Sequence, residues 1–183
     1  ATGGQYGEEG NFLQSGNYRI TDFQAAVLLS QCARLDRQNE VREQNARYLD
    51  TLLSTCPGIR PMRTDERETR KTYFNYTFMY DEKELRIPVD TFRNALAEEV
   101  GFEVSPSYQP LDDCQLYRPL TKRRHAISKS YLKEIDPSRF DIPVCRDVYE
   151  NTSVTFHHKN LLGTKTDMEI IADSCMKIAA HIH

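Results

Sequence analysis

The chain has 183 residues, a formal net charge of −3, 39% apolar residues and 28% charged ones. That length suits one domain with or without an extension, and the composition implies a modest core under a wide polar surface. The charge gives no overall pull towards nucleic acid or an anionic membrane, no run approaches the ~18 apolar residues of a spanning helix, and no signal peptide is visible, so a cytoplasmic protein is expected. Five cysteines (Cys32, Cys56, Cys114, Cys145 and Cys175) are scattered without a C-x-x-C pair. Their odd number and spacing favour free thiols in a reducing compartment over a disulfide framework or a zinc site. The start, Ala1-Thr2-Gly3-Gly4, lacks an initiator Met and opens inside a Gly-rich stretch.

Residues 1–16 show no apolar periodicity and read as loop. A helical pattern follows from Thr21 to about Thr55, with Thr21 and Gln24 spaced as a capping box and Asp22 suited to the helix dipole. Phe23 to Leu29 is apolar on several faces, which implies burial on more than one side. Beyond it Leu35, Val41, Tyr48, Leu49, Leu52 and Leu53 form the expected buried stripe. A helix of this length is unusual in a compact domain, so a bend is expected over 36–40. Cys56-Pro57-Gly58 ends it.

Ile59-Arg60-Pro61 reads as a short edge strand, 64–71 as an exposed charged connection, and Tyr73 to Tyr80 as the best strand in the chain. Pro88 fits a helix start, Val89, Phe92, Leu96 and Val100 share one helical face, and Gly101 closes it. Phe102 to Ser105 is a second short strand. Residues 105–120 are rich in Pro and Tyr and read as irregular. A short helix is expected over His125 to Lys133, broken at Asp136-Pro137, then a weakly helical stretch from Asp141 to Glu150. Ser153 to Phe156 reads as a third strand. Asp167 to Ile182 closes the chain as a helix, with Thr166 as N-cap and Met168, Ile171, Cys175, Ile178 and Ile182 inward. The order predicts an α+β fold in which two helices cover one face of a small, mainly antiparallel sheet.

The stretch GNYRITDFQAAVLLSQCARLD, residues 16–36, resembles the G-x-NYR-[ML]-[ST]-[ED]-FQAA-x-x-x-x-Q-x-x-x-LD segment of the DegT/DnrJ/StrS family of pyridoxal-phosphate (PLP) aminotransferases. Those enzymes act on keto-sugars, keto-inositols and an aminohydroxybenzoate precursor. Further matches follow in family order. Phe92 to Phe102 resembles its R-x-x-L-x-x-x-G-[IV] helix and turn, and Tyr108-Gln109-Pro110-Leu111 its Y-x-PL segment. Val154 to His158 takes the place of its V-x-LPH strand, and Leu161-Leu162-Gly163 with Asp167-Met168 resembles its closing L-x-G-x-x-x-DM helix. The resemblance covers nearly the whole chain, but only the C-terminal half of the family's usual length. It implies a fold-type-I architecture: 1–20 as a loop from the PLP-binding large domain, 21–56 as a linking and interface helix, and 57–183 as the small domain.

The site residues follow from the same motifs. The resemblance implies that Asn17 donates its amide to the PLP phosphate of a neighbouring subunit, as an uncharged double donor can. Arg19 suits a carboxylate or phosphate bound bidentately. Tyr18, Tyr108 and His158 are the remaining candidates for the substrate side, His158 falling on the family's His; the residues alone leave Tyr18 open to packing and His158 to a surface role. Adjacent strand residues face opposite ways, so His157 and His158 are not expected to share a site or bind a metal as a pair. Asp112 stands where many family members carry His. Lys122-Arg123-Arg124-His125, with Lys129, Lys133 and Arg139, is the one basic cluster, either a solvated surface or a groove for an anionic group.

Transamination needs a lysine for the Schiff base and an acidic partner for the pyridinium nitrogen. The family carries both upstream of residue 1, so no catalytic residue is assigned here. The leading expectation is therefore the C-terminal part of a homodimeric PLP aminotransferase that takes an amino group from glutamine or glutamate to a keto-sugar, keto-cyclitol or related precursor. Phe23, Val27 and Leu28 would lie at the dimer interface. A non-catalytic ligand-binding or regulatory module and a helical interaction domain are the alternatives.

Overall fold

The computed structural model describes residues 20–114 and 128–180. The chain divides into two compact units, a larger one of Thr21–Ser107 with Val148–His183 and a smaller one of Ala1–Ile20 with Tyr108–Asp147.

In the larger unit α1 (Asp22–Leu53) is a single helix of 32 residues. The expected capping box sets its start: the Thr21 hydroxyl accepts from the Gln24 N–H at 3.2 Å, and Gln24 Oε1 accepts from the Thr21 N–H at 2.8 Å. Two donors that a helix start would otherwise orphan are thereby satisfied. The bend expected over 36–40 does not interrupt the helix. Residues 22–53 contain neither Gly nor Pro, and their Arg, Gln, Glu and Leu content favours an unbroken ladder.

The apolar start of α1 departs from expectation. Phe23 is 81% and Leu29 73% exposed, so the burial implied for this stretch is not found. The buried stripe is also displaced. Leu49 and Leu53 are buried as expected, but their partners on that face are Arg42, Asn45 and Ala46, while Leu35 is exposed. Steps of three and four residues put these five positions on one side of the helix.

Gly58 turns the chain from α1 into the sheet with φ +67°, a conformation that glycine adopts without strain. The sheet has four antiparallel strands in the order β1-β2-β4-β3, namely β1 (Ile59–Pro61), β2 (Asn75–Tyr80), β3 (Val104–Ser105) and β4 (Ser153–His157). Tyr76, Phe78 and Tyr80 alternate into the core. Tyr76 stacks on its cross-strand neighbour Phe156 at 5.0 Å, and Tyr80 lies 4.7 Å from Phe92. On the opposite face the Thr77 and Thr155 hydroxyls pair at 2.9 Å.

The helices α3 (Val89–Val100) and α6 (Lys165–Ala180) pack with the C-terminal half of α1 around Leu49, Leu53, Phe92, Leu96, Met168 and Cys175. Each such side chain, fully buried, contributes about 1.5–3 kcal/mol. Gly101 closes α3 in the left-handed conformation, as expected. The cap of α6 is not Thr166. Thr164 accepts from the Asp167 N–H at 3.3 Å and donates its own N–H to Asp167 Oδ2 at 2.6 Å, which places the box two residues earlier. Ile182 lies outside the described residues. A short helix α2 (Glu82–Leu85), capped by Asp81, was not expected from the sequence.

The smaller unit holds a 3-10 turn (Leu111–Asp113), α4 (Lys129–Glu134), a second 3-10 turn (Pro137–Arg139) and α5 (Pro143–Asp147). The Ser128 hydroxyl caps α4. Where a weak helix was expected from Asp141 to Glu150, α5 is followed by a π-helix (Val148–Thr152) that belongs to the larger unit. The α+β class expected from the sequence is the one observed.

Candidate functional site

The sequence points to the end of β4, and the structure gathers more there than expected. The strand stops at His157 and a 3-10 turn (His158–Leu162) begins at the next residue, so the backbone changes direction between the two histidines. Their rings lie 4.2 Å apart, side by side, which overturns the expectation that they face opposite ways. Phe74 approaches both rings, at 6.4 Å from His157 and 6.2 Å from His158. The His158 N–H donates to the Phe74 carbonyl at 3.4 Å, and His157 Nδ1 accepts from the Lys159 N–H at 3.2 Å.

His158 is half-buried, and its Nδ1 is enclosed without a hydrogen-bond partner. Burial foremost, then the neighbouring His157 and Arg42, hold its pKa below the ordinary 6.5. The imidazole is therefore neutral near pH 7, with one nitrogen able to donate and the other to accept.

Two polar residues of α1 face this turn. Asn45 Nδ2 donates to the Leu161 carbonyl at 2.9 Å and the Gly163 carbonyl at 2.8 Å, tying the helix to the 3-10 turn and its exit. One turn earlier Arg42 is only 6% exposed. Its Nη1 donates to Asn39 Oδ1 at 3.0 Å and its Nη2 to Gln38 Oε1 at 3.4 Å, while Nε has no partner. Neither acceptor is charged. The other buried arginine, Arg93, differs: its Nε and Nη2 donate to the Ser153 carbonyl, Nη2 also to the Tyr149 carbonyl at 3.1 Å, and Nη1 pairs with Asp90 at 2.6 Å. Arg93 thereby fixes the π-helix against α3.

Beside His157 a cavity of about 300 Å³ is lined by Asn75, Ser105, Thr155, His157, Lys159 and Asn160, at the small end of ligand-pocket sizes. Hydroxyl, amide and imidazole groups of this kind offer both donors and acceptors to a polar ligand. A second cavity of about 350 Å³ adjoins Asp50, Lys71, Tyr73 and Tyr76. There the Tyr76 hydroxyl donates to Asp50 at 2.5 Å. Burial raises the Asp50 carboxyl, against the lowering effects of the Tyr76 bond and the Lys71 charge. Burial and the Asp50 charge push the Tyr76 phenol strongly up.

Asn17, Tyr18 and Arg19 lie outside the described residues, as do Lys122 to His125. Tyr108 belongs to the smaller unit and is 53% exposed. Asp112 and Asp113, the adjacent carboxylates, are both gripped by Arg146, at 2.8 and 2.6 Å. Arg42, Asn45 and Arg93 were missed because hydropathy counts them as surface. Asn45 stands four residues and Arg42 seven before Leu49, and Arg93 three before Leu96; this helical spacing is the one signal that could have found them.

Comparison with known proteins fits this picture. Residues 2–145 match the DegT/DnrJ/EryC1/StrS aminotransferase family, and the chain belongs to it. An L-glutamine:2-deoxy-scyllo-inosose aminotransferase of Streptoalloteichus tenebrarius is 41% identical over 170 residues, which is 92% of this chain and 40% of that protein. An L-glutamine:scyllo-inosose aminotransferase of Streptomyces griseus is 35% identical over 176 residues, 96% of this chain and 41% of that one. The crystal structure of 3-amino-5-hydroxybenzoic acid synthase superposes with a TM-score of 0.62 at 25% identity, covering 92% of this chain and 41% of the synthase. The chain thus spans about 40% of the length of the curated relatives it matches.

Proposed function

We propose that this family member is the C-terminal part of a homodimeric PLP-dependent aminotransferase that moves an amino group from L-glutamine to a keto-cyclitol of the inosose type. The observation that carries this reading is the 41% identity to an inosose aminotransferase over 92% of the chain. Residues 1–20 would be the loop that reaches a neighbouring subunit, 21–56 the linking helix, and 57–183 the small domain that shapes the substrate side. When bound, PLP supplies the electron sink that makes amino transfer feasible.

On their own the described residues do not fit attachment of PLP. Every described lysine is exposed except Lys71, which is half-buried at the Asp50 cavity, where the Asp50 carboxylate is held by the Tyr76 hydroxyl. The chemical step accordingly belongs to the lysine-bearing domain of the whole enzyme. This chain's share is binding and orientation. Asn17 donates to the phosphate across the dimer, and Arg19, Tyr18, Tyr108 and His158 serve the substrate. The neutral His158 can give or take one hydrogen bond at a ring hydroxyl without adding charge.

That same exposure of the lysines is the observation favouring the second reading, a ligand-binding module without catalysis. The two separate in one experiment on the whole protein supplied with PLP, ¹⁵N-amino-labelled L-glutamine and scyllo-inosose. The aminotransferase reading expects labelled amino-cyclitol and cofactor fixed to a lysine by borohydride. Binding of the cyclitol without label transfer would leave only the module.

A further inference from the structure

Arg42 is a buried guanidinium with no anion paired to it among the described residues. Its two Nη bonds go to neutral amides on its own helix, its Nε is enclosed without a partner, and no ion pair to it is found among the described residues. A charge taken out of water is costly unless a counter-charge or further hydrogen bonds compensate it, and buried arginines are ordinarily paired. Arg93 in this same chain obeys that rule through Asp90 and two carbonyls. Arg42 does not.

A second enclosed and unpartnered nitrogen, His158 Nδ1, belongs to the 3-10 turn that packs on this face of α1. The Arg42 charge is felt at the His158 ring. His158 is half-buried, so part of its ring is open to the surface although both orphaned nitrogens are enclosed, while Asn45 pins the turn to α1. We propose that Arg42 and His158 form a preorganised site for one carboxylate-class oxyanion, with the guanidinium supplying the counter-charge and the imidazole a second donor. A charge-assisted bond to each oxygen would satisfy both orphaned nitrogens at once. The carboxylate can come from a small molecule or from an acidic side chain of a second copy of the chain, and one experiment tells these apart.

The test uses the full ¹⁵N-labelled chain with sodium acetate as probe, compared with sodium chloride at equal ionic strength, and follows both the arginine Nε–H signals and the melting temperature. The site expects acetate to move the Arg42 Nε–H signal saturably and to raise the melting temperature above that in chloride. Arg42→Met should melt no lower than wild type in chloride, since it removes an uncompensated charge and keeps the volume, and should lose the acetate response. His158→Phe keeps the ring beside Phe74 and should weaken acetate about tenfold, the worth of one charge-assisted hydrogen bond. A carboxylate from a second copy shows instead as an Nε–H signal already displaced in concentrated protein, which returns on dilution and which acetate competes away. A signal indifferent to both acetate and dilution, with Arg42→Met melting well below wild type in chloride, would overturn the site and place the counter-charge inside the chain.

Discussion

Replacing Asn45 with alanine tests how the His158 turn is held. The amide gives both of its hydrogens to main-chain carbonyls more than a hundred residues away, Leu161 at 2.9 Å and Gly163 at 2.8 Å. The Leu161 bond is buried and the Gly163 bond partly so. An orphaned buried acceptor costs about 1–3 kcal/mol and a partly wetted one about 0.5–1.5. Asn45→Ala should therefore lose roughly 3 kcal/mol, which for a chain of this length lowers the melting temperature by about 6–12 °C. Urea denaturation followed by circular dichroism measures the first number and a thermal scan the second. Asn45→Asp should be worse than alanine, because it keeps the volume but aims a carboxylate at two carbonyl oxygens. The exposed neighbour Gln44→Ala is the control and should stay within about 0.5 kcal/mol. An Asn45→Ala protein as stable as that control, with Asn45→Asp no worse, would refute the reasoning.

Other outcomes follow from the same geometry. Gly58→Ala should destabilise by about 2–4 kcal/mol in denaturant titration, since φ +67° disfavours an L residue and a Cβ would meet Leu85 Cγ at 2.5 Å. Arg93→Met should cost about 3–5 kcal/mol, through loss of the link between α3 and the π-helix, whereas Arg42→Met should not. Alkaline titration should unfold the chain: burial pushes Cys56 up to about 11 and Tyr73 and Tyr80 up to about 12. These groups hold their protons more tightly when folded. Their contribution is complete below the ordinary thiol and phenol values and is lost as pH rises through 11–12. His158 acts with the opposite sense. Its lowered pKa, set by burial, His157 and Arg42, makes stability fall as pH drops below 6.5, and His158→Phe should flatten that limb in a pH series of melting temperatures.

Hydropathy and punctuation carried the framework. Thr21 and Gln24 announced the helix start, Gly101 its counterpart at the end of α3, and the β propensity of Tyr73 to Tyr80 the strand β2. Each is a local signal that tertiary packing did not override. The failures share one cause. Asn45 is buried against the carbonyls it bonds in the turn after β4, and Arg42 is buried with its Nη bonds on its own helix; no single-residue scale records such surroundings. The exposed Phe23 to Leu29 is the converse, apolar residues that no described residue covers. For the two histidines, the strand period was extended one residue beyond where the ladder stops, and that slip set them on opposite faces. Thr164 displaced Thr166 as the cap because Asp167 exchanges hydrogen bonds with it. As for Asn17, Tyr18 and Arg19, their assignment rests on the motif they stand in.

The measurement that bears most directly on the functional reading is cofactor binding by the whole protein, with and without Asn17. Wild type should bind PLP, keep it on a lysine after borohydride reduction, and pass the amino group of labelled glutamine to a keto-cyclitol. Asn17→Ala should weaken PLP about tenfold, the worth of one phosphate hydrogen bond, while leaving the fold intact by circular dichroism. A whole protein that neither binds PLP nor transfers the label would contradict the account.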